Sequence, residues 1–560
     1  MRSIYQSSAA PEKISAHSAH YLLEQSRYGN PSQSRTIRRE KPATITLERV
    51  PATITIPEVV AVPTTANPVT PVKVGFVSLG CPKNLVDSEV MMGLLQRAGA
   101  TLTTDAANAD VLVVNTCSFI DSAQQESVNT ILEMAKHKTA GRATRLVVAG
   151  CLVERYRDDI RAQIPEVDAV VGTGELSEIL AAAGLTTTIA APETAPSPFN
   201  ILTGKRPEAQ TDIVASRREG DLREQQGRFS RGEWQGATSA LPTYLYDDTT
   251  PRLLTTPRAS AYIKIAEGCD HPCSFCIIPQ LRGKVRSRRF ESVIAEAEQL
   301  VASGVREITL VGQDTTCYGE DLGLKEGLPL LLDRLAQIPD LKWLRFLYAY
   351  PNRVSDRLLD VMAAHENICS YLDVPLQHAS PNVLKSMKRG AGADIFLRTL
   401  DRVRHKVPNV ALRTSFIVGF PGETDADFDI LSRFVEQAEF DWLGVFQYSD
   451  EEGSNAHNLG AKVPLHARRR RERRLMELQQ SISRRKKQQL LGRRMDILVE
   501  GESEDTPLLW EGRTAMHAPE IDGKVYINDF GPHETLTSGQ FHTCEVVEAH
   551  DYDLVVRILD

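Results

Sequence analysis

The sequence predicts an α/β protein, with two regions of parallel sheet followed by a small β-rich segment. Three observations carry this expectation. Between residues 72 and 151, three β-branched runs each end in a cysteine and lead into a helix-like stretch; from about 258 to 450, strand-like and helix-like segments alternate; residues 495–560 break into short strands and turns. Repeated strand–helix units favour a parallel sheet or barrel whose ligands sit beyond the carboxyl ends of the strands. At 560 residues the chain exceeds one ordinary core, so three or four domains are expected.

Residues 1–71 are rich in Ser, Thr, Ala, Pro and Arg without a lasting apolar period, and read as a disordered extension. Glu12, Glu24 and Glu40 interrupt its basic residues, which speaks against a transit peptide, and no signal-peptide pattern opens the chain. A formal net charge of −8 excludes nothing by itself. No run of about 18 apolar residues occurs, so no membrane-spanning segment is expected. Closely spaced cysteines in such a chain favour metal ligation in a reducing compartment, here the cytoplasm.

The first domain is expected over 72–189. Its runs are Val72-Lys-Val-Gly-Phe-Val-Ser-Leu-Gly-Cys81, Val111-Leu-Val-Val-Asn-Thr-Cys117 and Arg145-Leu-Val-Val-Ala-Gly-Cys151, with cysteines 36 and 34 residues apart. Continuously apolar strands suit a parallel sheet buried on both faces. All three cysteines then fall at carboxyl ends and can converge, although any one alone would more often be a small buried apolar residue. Residues 190–257, with Arg217-Arg-Glu-Gly-Asp-Leu-Arg-Glu-Gln-Gln-Gly227 and several prolines, read as a linker or insertion.

The second domain, 258–466, opens with the strand-like Ala261-Tyr-Ile-Lys-Ile-Ala266 and then Glu267-Gly-Cys-Asp-His-Pro-Cys-Ser-Phe-Cys276. The spacing C-x3-C-x2-C gathers Cys269, Cys273 and Cys276 on one loop, one ligand short of a closed zinc site or a closed four-iron cluster. His271 could complete a zinc set, so that reading stands beside an open-cornered cluster. Further strands are expected at 306–312, 344–348, 371–376 and 413–420, with a helix at 291–303. Cys317, Cys369 and Cys544 have no partner at ligand spacing and read as structural.

A basic connector helix is expected over 467–494, with twelve Lys or Arg against two Glu and with Leu475, Leu478 and Ile482 at helical spacing. It could contact RNA phosphates or simply bridge domains. Residues 495–560 reverse the balance, with 15 Asp or Glu against three Lys or Arg, a net of −12. Strands are expected at Met495–Val499 and His542–Val547 within it.

C-x3-C-x2-C after a first strand resembles the signature of the radical S-adenosylmethionine (SAM) enzymes. That resemblance implies a [4Fe-4S] cluster on Cys269, Cys273 and Cys276 whose open iron chelates SAM. It implies one-electron cleavage of SAM to a 5'-deoxyadenosyl radical, and a partial (β/α)6 barrel for 258–466. Gly312-Gln-Asp-Thr-Thr316 and Gly419-Phe-Pro-Gly-Glu-Thr424 look like SAM-contacting segments, making Gln313, Asp314, Gly419 and Gly422 candidates; glycine permits close backbone approach to a ligand. Asp373, Gln377 and His378 are further candidates. No catalytic base is assigned, because the radical itself takes the hydrogen.

Ser78-Leu-Gly-Cys-Pro-Lys-Asn84, Asn115-Thr-Cys117 and Gly150-Cys151 resemble the cysteine motifs of the methylthiotransferases, a radical SAM subgroup. The resemblance implies that Cys81, Cys117 and Cys151 hold a second [4Fe-4S] cluster carrying the sulfur to be inserted. It also implies an OB-like TRAM β-barrel at 495–560, through Gly512-Arg-Thr and Ala518-Pro-Glu-Ile-Asp-Gly523. Ser78–Glu89, Gln313–Thr316, Tyr348-Ala-Tyr-Pro351 and Asp373–His378 look like the ribosomal-protein branch, whose substrate is an aspartate of small-subunit protein S twelve, rather than the tRNA-adenosine branch. An acidic terminal domain agrees, since it repels phosphate and attracts a basic protein. The implied partners are that protein or the small subunit, an electron donor such as flavodoxin or ferredoxin, and a sulfur donor. An iron–sulfur redox sensor is the non-enzymatic alternative.

Overall fold

The computed structural model describes residues 71–185, 244–503, 506 and 509–560. The expected N-terminal extension and most of the expected linker lie outside the described residues. Those described pack into one unit running from Val72 to Asp560.

The Val- and Leu-rich runs form strands because β-branched side chains fit a pleated sheet covered on both faces. Strands β1 (Lys73–Ser78), β2 (Thr101–Thr103), β3 (Val111–Thr116), β4 (Arg145–Gly150) and β5 (Ala169–Val171) pair in parallel in the order β2-β1-β3-β4-β5. Helices α1 (Pro82–Arg97), α2 (Asp121–Thr139) and α3 (Cys151–Gln163) follow β1, β3 and β4. β3 is buried along its whole length.

The central region alternates as its sequence pattern implies. Its strands are β6 (Ser260–Lys264), β7 (Glu307–Val311), β8 (Trp343–Phe346), β9 (Tyr371–Asp373), β10 (Ala411–Val418) and β11 (Trp442–Gln447). They form two parallel triplets, β6-β7-β8 and β9-β10-β11. The triplets meet where Cys369 N–H donates to Leu344 O at 2.9 Å and Ala349 N–H to Asp373 O at 2.9 Å. The result is a six-strand partial barrel. Helix α4 (Ile278–Arg282) follows the cysteine loop; α5 (Phe290–Ala302), α6 (Gly327–Leu335), α7 (Asp356–Ala364), α8 (Ala393–Lys406) and α9 (Asp425–Ala438) lie outside the strands. The core between them is almost wholly Leu, Ile, Val and Phe.

The basic run forms α10 (Leu465–Gln488), burying Leu475 and Ile482 against β11 and α9. Its cations are largely engaged within the chain: Arg471 with Glu423 and Asp425, Arg484 with Asp551, Arg485 with Glu439 and Lys486 with Asp441. The helix leads from the central strands to the terminal barrel, with its paired cations held mainly by acidic residues of the central region.

Strands β12 (Arg494–Glu502), β13 (Trp510–Thr514), β14 (Val525–Asp529), β15 (Phe541–Ala549) and β16 (Leu554–Ile558) close a barrel in the order β12-β13-β14-β16-β15. This barrel packs against the amino-terminal end of the central one and touches all six strands there. Arg513 pairs with Glu307 of β7 at 2.6 Å and donates to Ser260 of β6 at 3.1 Å. Arg345 of β8 donates to Ala515 O at 2.9 Å, Tyr371 of β9 to Asp522 at 2.7 Å, and Trp442 of β11 to Met516 O at 2.8 Å. Arg413 of β10 lies 3.5 Å from Asp522.

Candidate functional site

Both cysteine triads open onto one cavity of about 280 Å³ at the carboxyl ends of the central strands, lined by Cys81, Cys117, Cys151, Cys269, Cys273 and Cys276. Cys81 caps the N-terminus of α1, with Pro82 at its first position, and Cys151 begins α3. Thiols at helix N-termini face unpaired N–H groups, which favour thiolate. Cys117 follows β3, its N–H donating to Ser127 Oγ at 3.0 Å.

The turns carrying these cysteines are fixed by polar side chains. Asn115 Nδ2 donates to Asn84 O at 2.9 Å and Ser88 Oγ at 2.8 Å, and Asn84 Nδ2 donates to Leu79 O at 2.5 Å. Gly150 has φ +95, and a Cβ there would lie 2.3 Å from Asn115 Oδ1. Gly268, just before Cys269, has φ +85, and a Cβ would meet Lys284 O at 2.1 Å. Each motif glycine therefore permits a close backbone crossing that no other residue fits.

Burial raises Cys151 to about 11 despite Arg282 beside it, and raises Cys117 further, with Cys151 and Cys81 adding to the effect. Burial also raises Cys81, but the charges of Lys83 and Arg282 outweigh it and leave that thiol lowered. In the second triad burial raises Cys269 to about 11 and Cys276 to about 12. Loading either triad with metal must displace these protons.

Arg282, buried at the end of α4, links Cys151 of the first triad to Glu267, two residues before Cys269. Its guanidinium donates to Cys151 Sγ at 3.2 Å, Asp87 at 3.1 Å, Glu267 at 2.9 Å and Asn84 at 3.3 Å. Lys264 bonds to Asp87 and, at 2.5 Å, to Glu267. Burial pushes the Glu267 carboxyl up, but Arg282 and Lys264 bring it well below the usual range. On the other wall Arg389 Nη1 approaches Cys273 Sγ at 3.6 Å and its guanidinium covers the Tyr350 ring at 4.4 Å.

Gln313 and Asp314 line the cavity; Gln313 Nε2 donates to Glu267 at 2.8 Å. Gln377 lines it too, at φ +71. Gly419 and Gly422 form a turn outside this lining, where Glu423 accepts from the N–H groups of Gly419 and Phe420. Asp373 sits behind the wall, holding Arg413 at 2.8 Å and Tyr348 N–H at 3.0 Å. His378 is fully buried, its Nδ1 accepting from Ser380 N–H at 3.0 Å, and is a core residue. Cys317, Cys369 and Cys544 are buried, as a structural role requires.

Zinc on the second loop does not fit. His271 Nε2 bonds Asp314 at 2.6 Å and its ring stacks on Tyr350 at 3.7 Å. A single tetrahedral ion with Zn–S bonds near 2.3 Å needs its thiolates about 3.8 Å apart. Among the described residues neither cysteine triad gathers its sulfurs within 4.8 Å of one another. Three thiols without a fourth protein ligand, spread more widely than one ion allows, suit an iron–sulfur cube with an open corner.

Sequence reading missed Arg282, Arg389, Lys264, Asp87 and a role for Lys83. Lys83 and Asp87 lie inside the Ser78–Glu89 motif, a signal that could have drawn attention to them; Arg389 lies in none of the motifs described above.

A partial barrel with a cysteine loop after its first strand, joined to a cysteine-bearing α/β domain and a terminal β-barrel, is the architecture of a radical SAM enzyme with added domains. Family models match accordingly: the Radical SAM superfamily over residues 263–435, Uncharacterized protein family UPF0004 over 73–172 and the TRAM domain over 491–559. The chain is 64% identical over 490 residues to the ribosomal protein uS12 methylthiotransferase RimO of Koribacter versatilis, covering 87% of this chain and 97% of that protein. It is 55% identical to the protein of that name from Solibacter usitatus, covering 87% and 95%. The chain belongs to the RimO family of radical SAM methylthiotransferases. Membership of the radical SAM superfamily implies SAM and a [4Fe-4S] cluster. No helix among the described residues is long and apolar enough to cross a membrane.

Proposed function

We propose that this enzyme adds a methylthio group to the β-carbon of an aspartate in ribosomal protein uS12, using two [4Fe-4S] clusters. The observation that carries the reading is that six cysteines from two domains line one cavity. Cys269, Cys273 and Cys276 would hold the SAM-binding cluster, with Gln313 and Asp314 beside the SAM, and Cys81, Cys117 and Cys151 the sulfur-bearing one. The bound clusters would supply, between them, hydrogen abstraction through the 5'-deoxyadenosyl radical and the sulfur inserted, with the methyl group coming from a second SAM in a separate methyl-transfer step. The chain's residues bring the two together: Arg282 ties α1 and Cys151 to the radical SAM loop, and Arg155 of α3 pairs with Glu451 at 2.5 Å on the far side. The names of the relatives support uS12 as substrate. The −12 charge of residues 495–560 suits a basic ribosomal protein. A flavodoxin- or ferredoxin-type donor would supply electrons, and a separate donor the sulfur, in the cytoplasm.

Coexpression with uS12 tests this. We expect a mass gain of one methylthio group on an aspartate of uS12, and about eight irons in the anaerobic protein, as two clusters require. Cys117→Ala should hold about four irons and abolish the mass gain. Modification of tRNA adenosine with uS12 unchanged overturns the substrate, and an unaltered iron count in the variant overturns the second cluster.

A further inference from the structure

The substrate of that reading carries a charge into the cavity. Methylthiolation replaces hydrogen on the β-carbon and leaves the adjacent carboxylate intact. A carboxylate moved from water into an enclosed, mostly apolar site is strongly disfavoured unless a cation meets it. The cavity should therefore offer a cation not already committed to the protein.

Five basic side chains line it: Lys83, His271, Arg282, Arg389 and Arg413. Four are engaged. His271 is bonded to Asp314, Arg282 to Asp87 and Glu267, and Arg413 to Asp373. Arg389 donates to Pro375 O at 2.5 Å and approaches Cys273. Lys83 differs from all of these. It is 8% exposed, its Nζ lies 3.4 Å from the centroid of the Tyr348 ring, and among the described residues it has no ion pair or hydrogen bond to a carboxylate or carbonyl, although its charge also acts on the nearby Cys81 thiol. The ring aims the ammonium by cation–π attraction without neutralising it. Tyr348 is itself held, at φ +64, by its N–H bond to Asp373. Lys83 also sits two residues from Cys81, beside the triad assigned to sulfur delivery, where an aspartate β-carbon must be placed.

We infer that Lys83, held over Tyr348, is the cation that binds the substrate aspartate's carboxylate and places its β-carbon between the two cysteine triads. The inference rests on the proposed uS12 reaction. It makes Lys83 a specificity residue, favouring aspartate over its neutral isostere asparagine.

The test uses the anaerobic, cluster-loaded enzyme with uS12 carrying either the native aspartate or asparagine at the target position. Binding is read as Kd by fluorescence anisotropy, and modification by mass. Wild type should bind the aspartate form on the order of 100-fold more tightly, as for a buried charge pair that loses one partner. Lys83→Met should bind both forms alike, at wild-type iron content, and Lys83→Arg should restore most of the preference. A wild-type aspartate preference retained by Lys83→Met overturns the inference, as does a variant whose only change is in the optical or EPR signal of the clusters, which would assign the charge to the cluster instead. Failure of wild type to modify uS12 at all removes the reaction on which the inference stands, and is seen in the wild-type arm alone.

Discussion

Arg282 holds four groups with one guanidinium: a thiol, an amide oxygen and two carboxylates, all buried. A planar fork of five donors can do this; a lysine cannot. Replacing it with Met leaves Asp87 and Glu267 to share Lys264, a surplus of buried negative charge. Arg282→Met should lower the stability of the anaerobic protein by about 3–5 kcal/mol in denaturant unfolding. Arg282→Lys should recover only part of that loss. The cysteines at the centre of this network were legible as residues, because C-x3-C-x2-C is compact and the other three recur at strand ends. Arg282 was not, because its partners Asp87 and Asn84 lie 195 and 198 positions away. Only the fold brings such groups together. His378 shows the opposite error: a polar side chain in a suggestive motif that serves the core.

At the level of elements, strand type and order followed from β-branched runs separated by helix-length stretches. The short strand β9, Tyr371–Asp373, is half the expected 371–376 because Pro375 cannot supply a ladder N–H. Residues 244–257, read from composition as the end of a linker, instead lie along α1: Arg252 pairs with Glu89 at 2.6 Å, and Thr255 N–H donates to the same carboxylate at 2.7 Å. Composition carries no record of such long-range partners. The join of β4 to α3 makes a sharper prediction. Ala at Gly150 must take φ +95 and press its Cβ onto Asn115 Oδ1, whereas a Cβ at Gly99, where φ is +90, would meet nothing within 4 Å. Gly99→Ala should cost only the dihedral strain, about 1–3 kcal/mol. Gly150→Ala should in addition displace Cys151 and, if the proposed second cluster is held there, reduce iron from about eight per chain to about four in elemental analysis.

For the whole molecule, the terminal β-barrel is a structural floor as well as an acidic surface. Burial pushes the Glu307 carboxyl up, but Arg513 and then Arg345 bring it down to about 2, against an ordinary 4.5. A folded value below the unfolded one means the contribution is complete above pH 4.5 and is lost as pH falls through about 2. Glu307→Gln should remove this part of the acid-unfolding slope, followed by circular dichroism. It should also leave Arg345 without its anion and Arg513 with Glu500 alone, at about 3–5 kcal/mol near neutral pH. Arg513, Ala515, Met516, Pro519 and Asp522 contact the amino-terminal region of all six central strands, so the terminal barrel packs at the end of the central one opposite the cysteine cavity. Under the proposed reaction, SAM, its products and the aspartate-bearing segment of uS12 would share the carboxyl-end cavity, so turnover becomes a matter of queueing: each departing product vacates the doorway before the next reactant can enter.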